Sequence, residues 1–159
     1  MKTLILYNWE VRDEYFKAFQ GISQEELMKD RKAGAGSILK TFLHIIDVEY
    51  SWVRAMYNKP DRPIDFAQYG DLQAVAMLSN QWRGEIIEYL DHWTNEELDN
   101  NIKPSWMQET YRKEEIVKHL IVHEVHHIGQ LSIWARELGI VPVNSNFIGR
   151  DLMNKARNM

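Results

Sequence analysis

Apolar residues recur at helix period in four stretches of the chain, and polar, Gly- or Pro-bearing segments separate them. Leu4, Tyr7, Val11, Tyr15 and Phe19 share one face and Gly21 supplies a stop, which predicts helix 1 from Thr3 to Phe19. Ile22-Ser23-Gln-Glu-Glu26-Leu27 reads as a short capped turn, with Ser23 and Glu26 as a capping box and Ile22 and Leu27 as its hydrophobic staple. After the flexible Ala33-Gly34-Ala35-Gly36, Ser37 caps helix 2, which runs to Tyr57 and is ended by Asn58 and Pro60. On it His44, Val48, Ser51, Trp52 and Ala55 share a face, so His44 points toward the interior. Residues 58–70 carry Pro60, Pro63 and Gly70 and form a long connection, which lets the flanking helices run parallel. Helix 3 follows from Asp71 to His92, with Leu72, Val75, Leu78, Trp82, Ile86 and Leu90 on its apolar face.

Trp93-Thr94-Asn-Glu-Glu97-Leu98 then repeats the earlier box and staple, which suggests two related halves. The second half has extra residues around 102–111, a loop or short hairpin whose Trp106, Met107 and Tyr111 cover one end of the fold. Helix 4 starts near Arg112, with Thr110 as a cap and Glu114 and Glu115 in its first turn, and stops at Gly139 before Pro142. The tail from Val143 to Met159 packs loosely on Phe147, Ile148, Leu152 and Met153. The pattern predicts an all-α protein: a four-helix bundle with a long crossover between helices 2 and 3, one domain over residues 1–159.

Composition narrows the chemistry. With 45% hydrophobic residues in 159, the chain can bury a sizeable core without staples. It has no cysteine, which excludes disulfides, thiolate ligands and a thiol nucleophile of its own; any sulfur chemistry would use a separate thiol. The net charge is −4 and the basic residues are scattered, which argues against nucleic acid or an anionic membrane and for a small-molecule substrate. The apolar run near Met1 is too short for a signal peptide, and no stretch approaches the ~18 apolar residues of a membrane span, so a cytoplasmic location is expected.

The histidines change the picture most. Four of the six lie between His119 and His127. Ile116, Leu120, Leu131, Trp134 and Leu138 mark an apolar stripe on helix 4, and His123, His127 and Gln130 fall on it, with His119 and His126 at its edges. Burying an imidazole without a partner costs roughly 2–7 kcal/mol, so such a cluster calls for hydrogen-bond partners or a metal. Two histidines four residues apart on a helix can converge on one ion. His44, His123 and His127 are therefore the candidate metal ligands, leaving a coordination position for water or substrate. His119 and His126 substitute for them if the helical phase differs, and His92 reads as a surface cation at a helix end. The alternative for the three is a set of hydrogen-bonded core histidines.

His123-Glu124-Val125-His126-His127 also matches the H-E-x-x-H motif of zinc proteases, in which the glutamate is a general base. No histidine follows His127 to complete that ligand set, and Gln130 stands where the extended motif wants glycine. Glu124 is retained as a candidate base, against its reading as an exposed helix carboxylate about 100° round from His123. Gln130 is a candidate for orienting a ligand, and Asp47, close to His44 on helix 2, either supports that ring or is a surface carboxylate.

His44, followed far downstream by Leu120-Ile-Val-His123-Glu-Val-His126-His127-Ile-Gly-Gln130-Leu131, resembles the DinB/YfiT family, and Tyr7-Asn8-Trp9 resembles that family's opening helix. Ile128 departs from the arginine common before the family's Gly-Gln. The resemblance implies an up-down-down-up bundle, a three-histidine site for zinc, nickel or iron, and a homodimer. It also implies activation of a low-molecular-weight thiol for transfer to an electrophile, the leading expectation here. A metal-dependent hydrolase with Glu124 as base, and a non-catalytic metal-binding stress protein, are the alternatives.

Overall fold

The computed structural model describes residues 1–157, so the last two positions of the expected domain lie outside the described residues. In chain order its elements are α1 (Lys2–Ala18), α2 (Gln24–Met28), α3 (Ile38–Met56), α4 (Leu72–Leu90) and α5 (Asn95–Leu98). The strand pair β1 (Asn101–Ile102) and β2 (Tyr111–Arg112) follows, then α6 (Lys113–Glu137) and α7 (Leu152–Lys155). The four long helices are those the hydrophobic period predicts. The segment after α5 is a short hairpin, with Asn101 opposite Arg112 and Ile102 opposite Tyr111 in antiparallel register.

Side-chain partners give the helix directions. Tyr50 stacks on Trp82 (3.9 Å between centroids) and Tyr57 on Tyr89 (4.0 Å), so residue numbers rise together and α3 and α4 are parallel. The crossover at 58–70, with a 3-10 turn at Phe66–Gln68, makes that possible. Asn8 donates to the Ile121 carbonyl (3.2 Å) and Arg12 to Glu124 (2.6 Å), so α1 and α6 are also parallel. Numbers run in opposite senses between α1 and α3, where Trp9 meets Glu49 and Phe16 stacks on Phe42. They do so again between α3 and α6, where Trp52 meets His119 and His44 meets His127. The result is an up-down-down-up all-α bundle.

Local rules held at the helix starts and were amended in detail. Ser37 accepts the Lys40 N–H (3.1 Å) and Asp71 the Ala74 N–H (2.8 Å), as N-caps should. Ser23 and Thr94 also cap, through the N–H groups of Glu26 and Glu97. The two glutamates do not close their boxes: Glu26 reaches Lys29 and Arg31, and Glu97 reaches Lys113, because charged partners outcompete a backbone N–H. Thr110 does not cap α6; Arg112 holds that position, its N–H donating to Glu115 (3.0 Å). Leu4 is exposed, and the buried stripe of α1 is Ile5, Asn8, Trp9, Val11, Arg12, Tyr15 and Phe16. Contact with α4 and α6, and side-chain pairing with α3 through Trp9–Glu49 and Phe16–Phe42, widens that stripe until it takes in two polar residues.

The core falls into two apolar clusters. One holds Phe16, Phe19, Phe42, Ile46, Leu131 and Trp134, the other Ile5, Trp9, Tyr50, Val53, Val117 and Leu120. The break occurs at one level of every long helix, and polar side chains fill it. The tail is anchored less by the expected apolar residues than by charge. Leu152 is buried and Phe147 meets Tyr7, yet Ile148 and Met153 are exposed. Arg150 grips Glu14 (2.8 and 3.0 Å) and Lys155 grips Glu10 (2.5 Å). No helix among the described residues is long and apolar enough to cross a membrane.

Candidate metal centre

Because α3 and α6 are antiparallel, His44 descends to meet His123 and His127, one turn apart on α6. The Nε2 of His123 lies 3.1 Å from that of His44 and 3.2 Å from that of His127. All three ligand nitrogens lie within 4.8 Å of one another. Two ligands held about 2.0–2.1 Å from a shared ion stand about 2.9 Å apart at a right angle and about 3.4 Å apart at the tetrahedral angle. The observed separations fall between these limits.

Protons do not account for the cluster. His127 donates its Nδ1–H to Gln130 Oε1 (2.7 Å), which leaves its Nε2 as a bare lone pair. His123 Nε2 touches two other Nε2 atoms, and one hydrogen can serve only one of them, so a nitrogen–nitrogen contact stays without a hydrogen bond. Lone pairs turned on one another are a donor set for a cation. Burial, with the neighbouring histidines acting in the same direction, pushes His123 down to about 3. Burial likewise lowers His44 and His127, the latter against the pull of Gln130. The imidazoles are neutral at pH 7, as ligation requires. The residues present therefore fit a divalent metal.

Gln130 is held in turn. Its Nε2 lies 3.0 Å from His126 Nε2, and the backbone of Gly34 comes so close that an added Cβ would stand 2.7 Å from Gln130 Oε1 and 3.0 Å from Trp134. Gly34 also has φ +62, which glycine adopts without strain. The glycine-rich segment expected to be a flexible joint is thus packed against the residue that orients His127.

The remaining candidates fall outside the trio. His119 sits beside His123 (5.4 Å between centroids) and against Trp52, and His126 serves Gln130. His92 is exposed at the end of α4, its Nδ1 3.1 Å from the Glu88 carbonyl. Asp47 accepts the Ile64 N–H (3.2 Å) and so fastens the crossover.

Glu124 corrects the expectation of an exposed carboxylate: it is 2% exposed. Arg12 Nε and Nη2 each donate to one of its oxygens at 2.6 Å. Arg12 Nη1 reaches Glu49 (2.9 Å) and Ser79 (3.2 Å), and Trp9 Nε1 donates to the other Glu49 oxygen (2.6 Å). Burial works against the charge of Arg12, and Glu124 and Glu49 outweigh it. Burial also pushes the Glu124 carboxyl up, against the pull of Arg12. Sequence reasoning missed Arg12, Glu49 and Gly34. A signal existed for Glu49, which interrupts the apolar positions Ile45, Ile46 and Val53 of one helix face.

Comparison with known proteins agrees with this architecture. The profile of the DinB family matches residues 1–156. An uncharacterized Bacillus subtilis (strain 168) protein, YizA, is 48% identical over 147 residues, covering 92% of each chain. The crystal structure of a DinB-like protein from Bacillus cereus ATCC 10987 superposes with a TM-score of 0.63 at 18% identity, covering 87% of this chain and 93% of that one. A DinB-like protein from Bacillus subtilis, YjoA, gives a TM-score of 0.57 at 15% identity, covering 86% and 91%.

Proposed function

The chain belongs to the DinB family, and from that premise we propose that it is a metal-dependent transferase that moves a low-molecular-weight thiol onto an electrophilic small molecule. The observation that carries the metal half is the convergence of three imidazole nitrogens that hydrogen bonds cannot satisfy. His44, His123 and His127 would hold the ion, with zinc, nickel and iron all suited to imidazole. A divalent metal at such a site lowers the pKa of a coordinated thiol or water, making a nucleophile at neutral pH.

The chain's own residues do the rest. Gln130 fixes the His127 ring by accepting from Nδ1, so that Nε2 faces its two neighbours. Gly34, having no Cβ, leaves the Gln130 amide the space it occupies beside His127. Arg12, by gripping Glu124 between His123 and His127 in sequence, holds that turn of α6 in register with α3. Glu124 acts here as a positioning residue, since both of its oxygens are already engaged. His44 and His123 remain half-buried, which leaves the cluster reachable by a small molecule. The chain has no cysteine, so the thiol must come from solution. The same proposal pairs two chains through Val122, Val125 and Ile133, an exposed apolar stripe on the outer face of α6.

Elemental analysis of untagged protein tests the metal directly: near-stoichiometric ion in the wild type, lost in His44→Ala, His123→Ala and His127→Ala. Loaded protein is then assayed for loss of free thiol in the presence of electrophiles. Turnover of esters or amides without added thiol would replace transfer by hydrolysis. Full loading with no turnover of either kind would leave a non-catalytic metal-binding protein. A monomer by light scattering would overturn the pairing.

A further inference from the structure

The groove between α3 and α6 continues past the histidines. One turn before His123 on α6, and two turns beyond His44 on α3, it opens into a cavity of about 230 Å³ lined by Trp52, Met107, Tyr111, Glu115, Ile116 and His119. Three features of this cavity belong together. The rings of Trp52 and Tyr111, which both line the cavity, meet at 84° with centroids 5.9 Å apart, an edge-to-face pair that makes an aromatic corner of its wall. Trp106 meets Trp52 at 76° with centroids 5.5 Å apart, extending the aromatic cluster. Glu115 brings a carboxylate to the wall, and no Lys or Arg among the described residues lines the cavity.

The nearby cations are committed elsewhere. Arg112 pairs with Asp99 and Glu114, Lys113 with Glu97, and Lys118 with Glu114. What Glu115 does receive is the Arg112 backbone N–H at the start of α6. Among the described residues no Lys or Arg pairs with Glu115, and a carboxylate so placed beside an aromatic corner attracts a positive charge by two routes, Coulomb attraction and the ring quadrupole. A purely apolar ligand would use the rings and gain nothing from the carboxylate.

We propose that this cavity is a binding site for an organic cation, an ammonium group carried by a small molecule. The cation site stands on its own geometry; its further reading as a substrate subsite rests on the metal-dependent function proposed above. On that reading the substrate or thiol carries an ammonium group about 6–10 Å from its reacting atom, the distance one to two helical turns place between the cavity and the histidines.

The test uses choline and its uncharged carbon isostere 3,3-dimethylbutan-1-ol as probes, with binding followed by calorimetry and by the indole N–H resonances of the full chain. Choline is expected to bind about tenfold more tightly than the isostere. Glu115→Gln should abolish that preference, and because glutamine also accepts a backbone N–H at this helix position the variant keeps its cap. Trp52→Leu should weaken choline while leaving the circular dichroism unchanged. Equal binding of the two probes, or a preference that survives Glu115→Gln, would overturn the proposal. The measurement is repeated on His44→Ala: a choline preference retained there sustains the cation site even when the metal site has been removed, so the two readings fail separately.

Discussion

Two polar clusters share the waist of this bundle, and adjacent residues of α6 belong to different ones: His123 to the histidine trio, Glu124 to the Arg12 cluster. Both interrupt the apolar core at the level where its two halves meet. The Arg12 cluster closes on itself. Five N–H groups of Arg12 and Trp9 are spent on Glu49, Glu124 and Ser79, and both glutamates are engaged at both oxygens. The trio does the opposite, presenting nitrogens to one another with too few protons to join them. A buried polar group that is satisfied holds a fold together, and a half-buried one left unsatisfied beside it, as His44 and His123 are, asks for something from outside. Burial alone would rank Glu124 above His44 as a functional residue; the state of its partners reverses that order.

The largest effect expected from breaking this contrast is Arg12→Ala. It leaves two buried carboxylates unpaired and should cost about 3–5 kcal/mol of stability, read from the urea midpoint of metal-free protein. His44→Ala should do the reverse, losing the metal while the metal-free urea midpoint stays near that of the wild type or rises, since a desolvated imidazole has gone. If His44→Ala unfolds the chain, or Arg12→Ala removes metal without lowering stability, the division of labour is wrong.

How much of this could be read from the chain follows the same line. The long helices were legible because their apolar spacing is a local property, and the parallel run of α3 and α4 because 58–70 is too long for a tight turn. The convergence of histidines was legible because four of them lie within nine positions, and no packing rule explains such density. The Arg12 cluster was not. Its members sit alone at positions 12, 49 and 124; Arg12 and Glu124 each resemble a surface charge until three helices bring them together, and only Glu49 betrays itself by interrupting an apolar face. Glu124 was misplaced for a related reason: a helix touching several neighbours has a wider buried face than one amphipathic stripe describes. Leu4 was misplaced because the buried stripe of α1 starts at Ile5 instead. Gly34 was hidden because only a tertiary approach to Gln130 and Trp134 distinguishes it from a joint.

A finer cut leaves the ligands in place and loosens what holds them. Gln130→Leu removes the acceptor of the His127 Nδ1–H, and metal affinity should fall about 10–100-fold, measured by competition with a chelating dye. Gly34→Ala should produce a loss of the same kind, because the new methyl meets Gln130 Oε1. An unchanged affinity in both would mean that His127 needs no fixing, and the trio would then be set by helix packing alone.

The smallest effect is the dependence of metal-free stability on pH, and its sign separates the clusters. Burial holds His44, His119, His123 and His127 below the ordinary 6.5. Unfolding frees these rings to take up protons, so between 6.5 and the lower values in the folded protein the unfolded chain binds more protons. Stability is therefore full above about pH 6.5 and declines as pH falls toward the folded-state values, the lowest being about 3 for His123. Glu124 acts in the opposite sense, because burial raises its carboxyl and the folded chain then binds the proton more readily. The urea midpoint should thus drop between pH 7.5 and 5.5 in the wild type and drop less in His123→Ala. A profile that His123→Ala leaves unaltered would move the titration away from the trio, whereas a flatter one would tie the pH dependence to the same desolvated nitrogens that make the site ready for a metal.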